Sequence, residues 1–236
     1  MSRFLPIFCL LSTTLFSQNN LRFIHYTTRD GLSDNNINCL FQDSRGLLWI
    51  GTTNGLNYFD GVSFQNIYPT DFDPNHLLSD AVGRIAQSVD GNILLMTNDG
   101  MEEYNWNSKN LRLIFPLSMS GGISDFIIDK KKNIWLLSRC CLRQYDPHFN
   151  LLKNIQLDSL QNKVDKISFD AGFYCIDNAN NIWFHHHDIM YEWNVTTNTL
   201  ESKLNNPCKK IIFYSKADAI VPDAKGNYWT IIKIRE

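Results

Sequence analysis

Alanine, the best helix former, occurs only 7 times in 236 residues, whereas asparagine, a turn former, occurs 26 times. That scarcity argues against a helical bundle and favours short strands joined by turns. Neither sign of charge is in excess: 22 Lys+Arg stand against 24 Asp+Glu, a net charge of −2. A strongly basic nucleic-acid binder and a polyacidic tail are thereby excluded, and the 13% aromatic content argues against disorder. There is no CxxC pair and no GxSxG, HExxH or P-loop motif. After the N-terminus, no apolar run approaches the roughly 18 residues of a membrane helix, so no membrane span is expected.

What is present begins with an export signal. Arg3 precedes an apolar stretch from Phe4 to Phe16, interrupted only by Ser12, Thr13 and Thr14, and small Ser17 offers a cleavage position before Gln18. The stretch is too short to cross a bilayer, where about 20 residues are needed. Residues 1–17 are therefore read as a signal peptide, residues 18–236 as the mature chain, and the location as periplasmic. Cleavage leaves an odd set of cysteines, Cys39, Cys140, Cys141, Cys175 and Cys208, which allows at most two internal bridges. Small apolar residues packed in strands are the better reading. Cys140 and Cys141 point to opposite faces if both lie in a strand, which argues against a shared metal site.

Internal periodicity decides the fold. The segment Asp43-Ser44-Arg45-Gly46-Leu47-Leu48-Trp49 recurs at Asp129 to Trp135, at Asp177 to Trp183 and at Asp223 to Trp229, with a degenerate copy from Ser88 to Leu94. The anchors at 49, 94, 135, 183 and 229 lie 45, 41, 48 and 46 residues apart. Seven residues after the first four anchors stand Leu56, Met101, Leu142 and Met190; ten after stand Phe59, Tyr104, Tyr145 and Trp193; eleven after stand Asp60, Asn105, Asp146 and Asn194. The first unit reads as four strands, roughly Ile37–Gln42, Leu47–Thr52, Gly55–Phe59 and Ser63–Tyr68, with turns at Asp43–Gly46, Asn54-Gly55 and Asp60-Gly61.

Four antiparallel strands per repeat, with a periodic Trp wedged between neighbouring sheets, describe a β-propeller blade. The expectation is an all-β, partial and open β-propeller of about four and a half blades. Their approximate bounds are 32–68, 78–115, 123–155, 164–204 and a truncated 211–236. A leading strand from Phe23 to Thr27 aligns with the outer-strand segment Phe64 to Tyr68. The Gly-His…Trp-Asp and kelch patterns are missing, and the turn resembles the sialidase Asp-box only distantly.

The run Phe23 to Ser33, then Asn36-Ile37, Gln42 to Thr52 and Asn54 to Gly61 resembles the two-component regulator propeller repeat of hybrid two-component sensors from Bacteroides-type bacteria. Later blades are degenerate, with Lys132 and Asn180 in place of the turn Gly and Leu94 in place of Trp. The resemblance implies an exported sensor that responds to glycan breakdown products, an oligosaccharide ligand, and self-association as in dimeric sensors. It also implies full-length relatives anchored in the inner membrane and carrying a histidine kinase. The phosphoacceptor His motif, nucleotide-binding boxes, receiver Asp and membrane helix are absent from these residues, so the chain is expected to be the start of a sensor without enzymatic activity. The alternatives are the start of a propeller glycan hydrolase or lyase, or a non-functional truncated reading frame.

Candidate chemistry is sparse. His185-His186-His187-Asp188 is the one local cluster that invites a metal, but two ligands on one side of a strand do not complete a site, and the segment reads as a turn. Glu102-Glu103 cannot face each other as a glycosidase pair and reads as a solvated hairpin edge. Trp106, just past its third strand, reads as a rim aromatic that caps the fold rather than as a sugar platform. The sequence assigns no catalytic residue, metal ligand or cofactor, and leaves the ligand-binding residues unknown.

Overall fold

The computed structural model describes residues 24–69, 76–119, 122–157, 171–186, 189–202, 217–222 and 228–232. The expected signal peptide, Cys208, His187 and Asp188 lie outside them. The first sheet comprises β1 (Ile37–Gln42), β2 (Leu48–Thr52), β3 (Leu56–Phe59) and β4 (Phe64–Ile67). The second comprises β5 (Val82–Gln87), β6 (Ile93–Thr97), β7 (Gly100–Tyr104) and β8 (Leu111–Pro116). The third comprises β9 (Asp125–Ile128), β10 (Ile134–Leu137), β11 (Cys141–Tyr145) and β12 (Leu151–Gln156). The fourth comprises β13 (Ala171–Ile176), β14 (Ile182–His186), β15 (Ile189–Asn194) and β16 (Thr199–Ser202), and β17 (Ala217–Pro222) pairs with β18 (Tyr228–Ile232). Each four-stranded sheet is an antiparallel meander in chain order. The first strands β1, β5, β9, β13 and β17 neighbour one another in succession, so they line an axis and the fourth strands lie outermost. This is an open β-propeller, as the repeat spacing predicts.

The repeated turn exists because one carboxylate ties it together. Asp43 Oδ1 accepts from the N–H groups of Arg45 (2.9 Å) and Leu47 (3.0 Å), while Oδ2 accepts from the Trp49 indole N–H at 3.0 Å. Asp129 does the same for Lys131, Asn133 and Trp135, and Asp177 for Asn181 and Trp183. Gly46 and Gly91 adopt φ of 88° and 80° at this turn, and Lys132 and Asn180 hold the same left-handed conformation at 68° and 70°. In the second blade the indole is gone, since Leu94 replaces Trp, and the carboxylate has gone with it. Ser88 Oγ accepts only from Asn92 N–H, at 3.2 Å. The later reversal is built alike: the residue eleven after the anchor, Asp60, Asn105, Asp146 or Asn194, accepts backbone N–H groups of its own turn.

Between blades, the anchor faces forward and the aromatic ten residues later faces back. Trp49 meets Tyr104 with ring centroids 5.6 Å apart, and Trp135 meets Trp193 at 6.1 Å. Leu94 packs with Tyr145 in the interface between them. Trp49 and Trp135 are fully buried, so each interface is a layer of apolar side chains that a single sheet could not cover.

The first blade keeps one face unpartnered among the described residues. Leu40 is 62% exposed and Ile37 43%, whereas their equivalents Ile85 and Val82 are at 7% and 0%. Residues 24–27 do not form the leading strand expected from the alignment, because no described strand offers them a ladder. Tyr26 instead lays its ring against Phe59 and Phe64 at 5.3 and 5.4 Å. Thr27 and Asp30 then close a capping box around the 3-10 turn Thr28–Asp30.

Candidate functional site

The hairpins β2–β3, β6–β7 and β10–β11 lie at one end of the array, beside the N-terminal ends of the axial strands. At that end the second strand of each of the first three blades closes with a hydroxyl. Thr52, Thr97 and Ser138 donate to the carbonyls of Gly55, Gly100 and Cys141 at 3.0, 3.2 and 2.9 Å. One level of the axial strands is marked by ladder pairing. Cys39 pairs with Gly51, Arg84 with Met96, Asp125 with Leu137, Gly172 with His185 and Ala219 with Ile231. β-bulges at β1, β5, β13 and β17 set this register.

At this level the axial strands carry polar side chains. Arg84 reaches from β5 to β9 and grips Asp125 with two nitrogens, Nε to Oδ1 at 2.5 Å and a terminal nitrogen to Oδ2 at 2.7 Å. The Phe126 backbone N–H also donates to Oδ1, at 2.8 Å. Gly172 makes room on the far side. A Cβ there would stand 3.0 Å from His185 Cε1 and 3.6 Å from Asp125 Oδ2, so the imidazole and the carboxylate share the space above that glycine. On the near side burial pushes the Cys39 thiol up to about 11 and keeps it protonated. Gly51 admits this packing, since a Cβ would lie 2.6 Å from Cys39 Sγ and 2.7 Å from the Val82 carbonyl. Arg84, Asp125 and His185 thus form an arc of planar donors and acceptors on three successive blades. Arg84 keeps a third of its side chain in solvent. Such an arc suits a ligand rich in hydroxyl groups.

The sequence reading named none of these except His185, yet a signal existed. Cys39, Arg84 and Asp125 all stand ten residues before their anchors. His185 and His186 belong to β14, and among the described residues no group of three or more His, Cys, Asp or Glu could hold a metal ion.

Glu102 and Glu103 are not a solvated edge: both are buried. Glu102 accepts from the Thr97 hydroxyl at 2.7 Å and from the Leu78 N–H at 3.3 Å, which clips the lead-in loop to the second blade. Asn57 plays that part in the first blade, receiving the Ser33 N–H at 2.8 Å. Glu103 is occupied by Arg112 and Asn92. Burial, chiefly, and the charge of Asp99 hold the Glu102 carboxyl above its ordinary 4.5, against the Thr97 and Leu78 hydrogen bonds and His76. A raised pKa favours the fold fully below the ordinary value, and that contribution is lost as pH rises through the folded one. Glu102→Gln keeps an acceptor for Leu78 and removes the buried charge. In urea melts it is expected to be more stable than wild type at neutral pH, with the difference closing as pH falls to 4.5.

Trp106 stands edge-on to Trp49 and Tyr58 at 6.1 and 5.5 Å, with Arg45 and Lys109 over its ring at 4.6 and 3.1 Å. It caps the first interface from the opposite end of the blade, away from the arc. Cys39, Cys141 and Cys175 lie in strands, whereas Cys140 lies in the turn before β11. The alternation argument therefore does not apply to the adjacent pair.

Comparison with known proteins agrees with this architecture. The two component regulator propeller family matches residues 31–54, the lead-in loop and first hairpin. Histidine kinase P4 of Formosa agariphila is 43% identical over 60 residues, which cover 25% of this chain and 4% of that protein. The extracellular domain of a hybrid two component system from B. thetaiotaomicron superposes with a TM-score of 0.66 at 16% identity, over 88% of this chain and 29% of that one. A second such domain from the same organism gives 0.62 at 16% identity, over 83% and 28%. A streptogramin B lyase gives 0.57 at 15% identity, over 85% and 63%. The chain thus spans under a third of those extracellular domains and a small part of the kinase. Among its described residues no helix is long and apolar enough to cross a membrane. Taken with the Asp–Trp clip and the axial strands, these likenesses give the chain the β-propeller fold of those extracellular domains, with residues 31–54 matching the two component regulator propeller repeat.

Proposed function

We propose that the chain is a ligand-sensing part of an exported two-component sensor. In this reading, Arg84, Asp125 and His185 receive oligosaccharide fragments released by glycan breakdown. The observation that carries it is the arc itself: an Arg–Asp pair and an imidazole brought from three blades to one end of the array. Sugar hydroxyls both donate and accept, and such a constellation can answer both. The arc holds one carboxylate rather than a facing pair, so it suits binding better than glycoside hydrolysis. Periplasmic location, self-association and signalling to a histidine kinase belong to the same reading.

The test is a thermal-shift screen of the full chain against neutral, uronate-bearing and sulfated oligosaccharides. At least one class is expected to raise Tm in a concentration-dependent way and to be recovered unchanged. A bound sugar that is cleaved, by hydrolysis or by elimination, would favour the enzyme reading that the likeness to a lyase keeps open.

A further inference from the structure

The hairpin between β10 and β11 carries two adjacent cysteines whose sulfur atoms lie 3.5 Å apart. They meet because the reversal falls between them and the preceding strand. Ser138 and Cys141 close the turn, with Ser138 N–H donating to the Cys141 carbonyl at 2.9 Å, and Cys140 is the turn residue just before β11. Ser138 Oγ lies 2.9 Å from Cys141 Sγ and fixes that thiol on the inner side. Cys141 is fully buried, while Cys140 is partly open to solvent and its carbonyl accepts from Leu157 N–H at 2.7 Å. Of the two cysteines whose sulfurs meet, Cys140 is thus the one nearer solvent.

We propose that Cys140 and Cys141 are a redox-active vicinal dithiol, oxidised reversibly by exchange with a small or protein disulfide of the exported compartment. The Cys140 thiolate attacks one sulfur of that disulfide and expels its first thiolate, which leaves a mixed disulfide on Cys140. Cys141 then loses its proton and attacks Cys140 Sγ, expelling the second thiolate. Two protein thiols are oxidised, one disulfide is reduced, and both protons pass to the departing thiolates.

The bond formed is a switch rather than a staple. Adjacent Cα atoms are about 3.8 Å apart across a trans peptide, below the roughly 4.4–6.8 Å that relaxed disulfides span. It closes no loop beyond one peptide unit, so it hardly restricts the unfolded chain. Strained disulfides of this kind are the readily reduced ones. The hairpin is well placed to matter, since Leu137, immediately before Ser138, is the ladder partner of Asp125.

The experiment uses the folded, pre-reduced full chain and oxidised glutathione as the probe, followed by acid quench, alkylation with iodoacetamide and tryptic mass spectrometry. Cleavage after Arg139 and Arg143 isolates the peptide Cys140-Cys141-Leu142-Arg143. It is expected to lose two hydrogen masses, take no alkyl group, and regain both thiols under mild dithiothreitol. A peptide that emerges doubly alkylated would overturn the proposal, and so would a glutathione adduct that persists on Cys140. In Cys140→Ser, Cys141 is expected to remain reduced throughout, and rapid glutathione capture there would contradict the assigned order of attack.

Discussion

Trp135→Ala is expected to destabilise the chain by about 3–5 kcal/mol, the range for deleting a fully buried aromatic. Trp135 is completely enclosed, lies 6.1 Å from the Trp193 ring, and forms one apolar layer with Leu137, Leu142, Ile182 and Phe184. Those partners come from two blades, so the loss falls on the interface that joins them rather than on either sheet alone. In an array where each repeat contacts only its neighbours, stability is a sum of blade and interface contributions. The urea midpoint should therefore drop, and the transition should broaden as blades on either side of the weakened interface melt separately. Trp183→Ala is the internal comparison. Trp183 is only partly buried, so its removal should lower the midpoint by less. Equal losses for the two would contradict the assignment of Trp135 as an interface wedge.

The second large effect is expected at Asp129. Its buried carboxylate accepts from Lys131 N–H at 2.8 Å, Asn133 N–H at 2.9 Å, the Asn133 amide at 3.1 Å and the Trp135 indole at 3.0 Å. Asp129→Ala leaves the indole N–H without its acceptor beneath the sheet and releases the turn. Each buried donor left unmet costs about 1–3 kcal/mol, and the exposed turn N–H groups recover part of theirs from water. A loss of about 2–4 kcal/mol follows. A double-mutant cycle with Trp135→Phe, which removes the indole N–H, isolates the clip, and a coupling of about 1 kcal/mol is expected. The second blade is a natural version of that double replacement. With Leu94 in place of Trp, Ser88 suffices where the other blades need Asp. Additive single losses in the cycle would separate Asp from Trp and refute the clip.

That pairing also explains why the fold was readable in the sequence and the site was not. Asp43, Gly46 and Trp49 recur because each blade must solve the same local problem, namely tying a turn and filling an interface. A problem solved five times leaves a period. The first-blade strands accordingly fall within a residue of their sequence reading, from Ile37–Gln42 to Phe64–Ile67. Arg84, Asp125 and His185 solve a problem posed once, across blades, so nothing repeats at their level, where Cys39, Arg84, Asp125, Gly172 and Ala219 differ in kind. Glu102 misled for a related reason. A carboxylate beside another carboxylate reads as solvated, but its partners, the Leu78 N–H and the Thr97 hydroxyl, come from a loop and a strand whose approach only the assembled blade reveals. The leading segment at Tyr26 failed as a strand because extended chain without a ladder has nothing to hold it.

The recognition site proposed at the mouth of this array is open to titration calorimetry. The oligosaccharide class that raises Tm in the screen would be titrated into wild type, Arg84→Ala and Trp106→Ala. Arg84 touches the proposed ligand space, whereas Trp106 lies at the opposite end of the blade. Saturable binding is predicted for wild type and Trp106→Ala, with affinity at least about tenfold weaker in Arg84→Ala, the scale of one lost charged hydrogen bond. Undiminished binding by a folded Arg84→Ala chain would contradict the account.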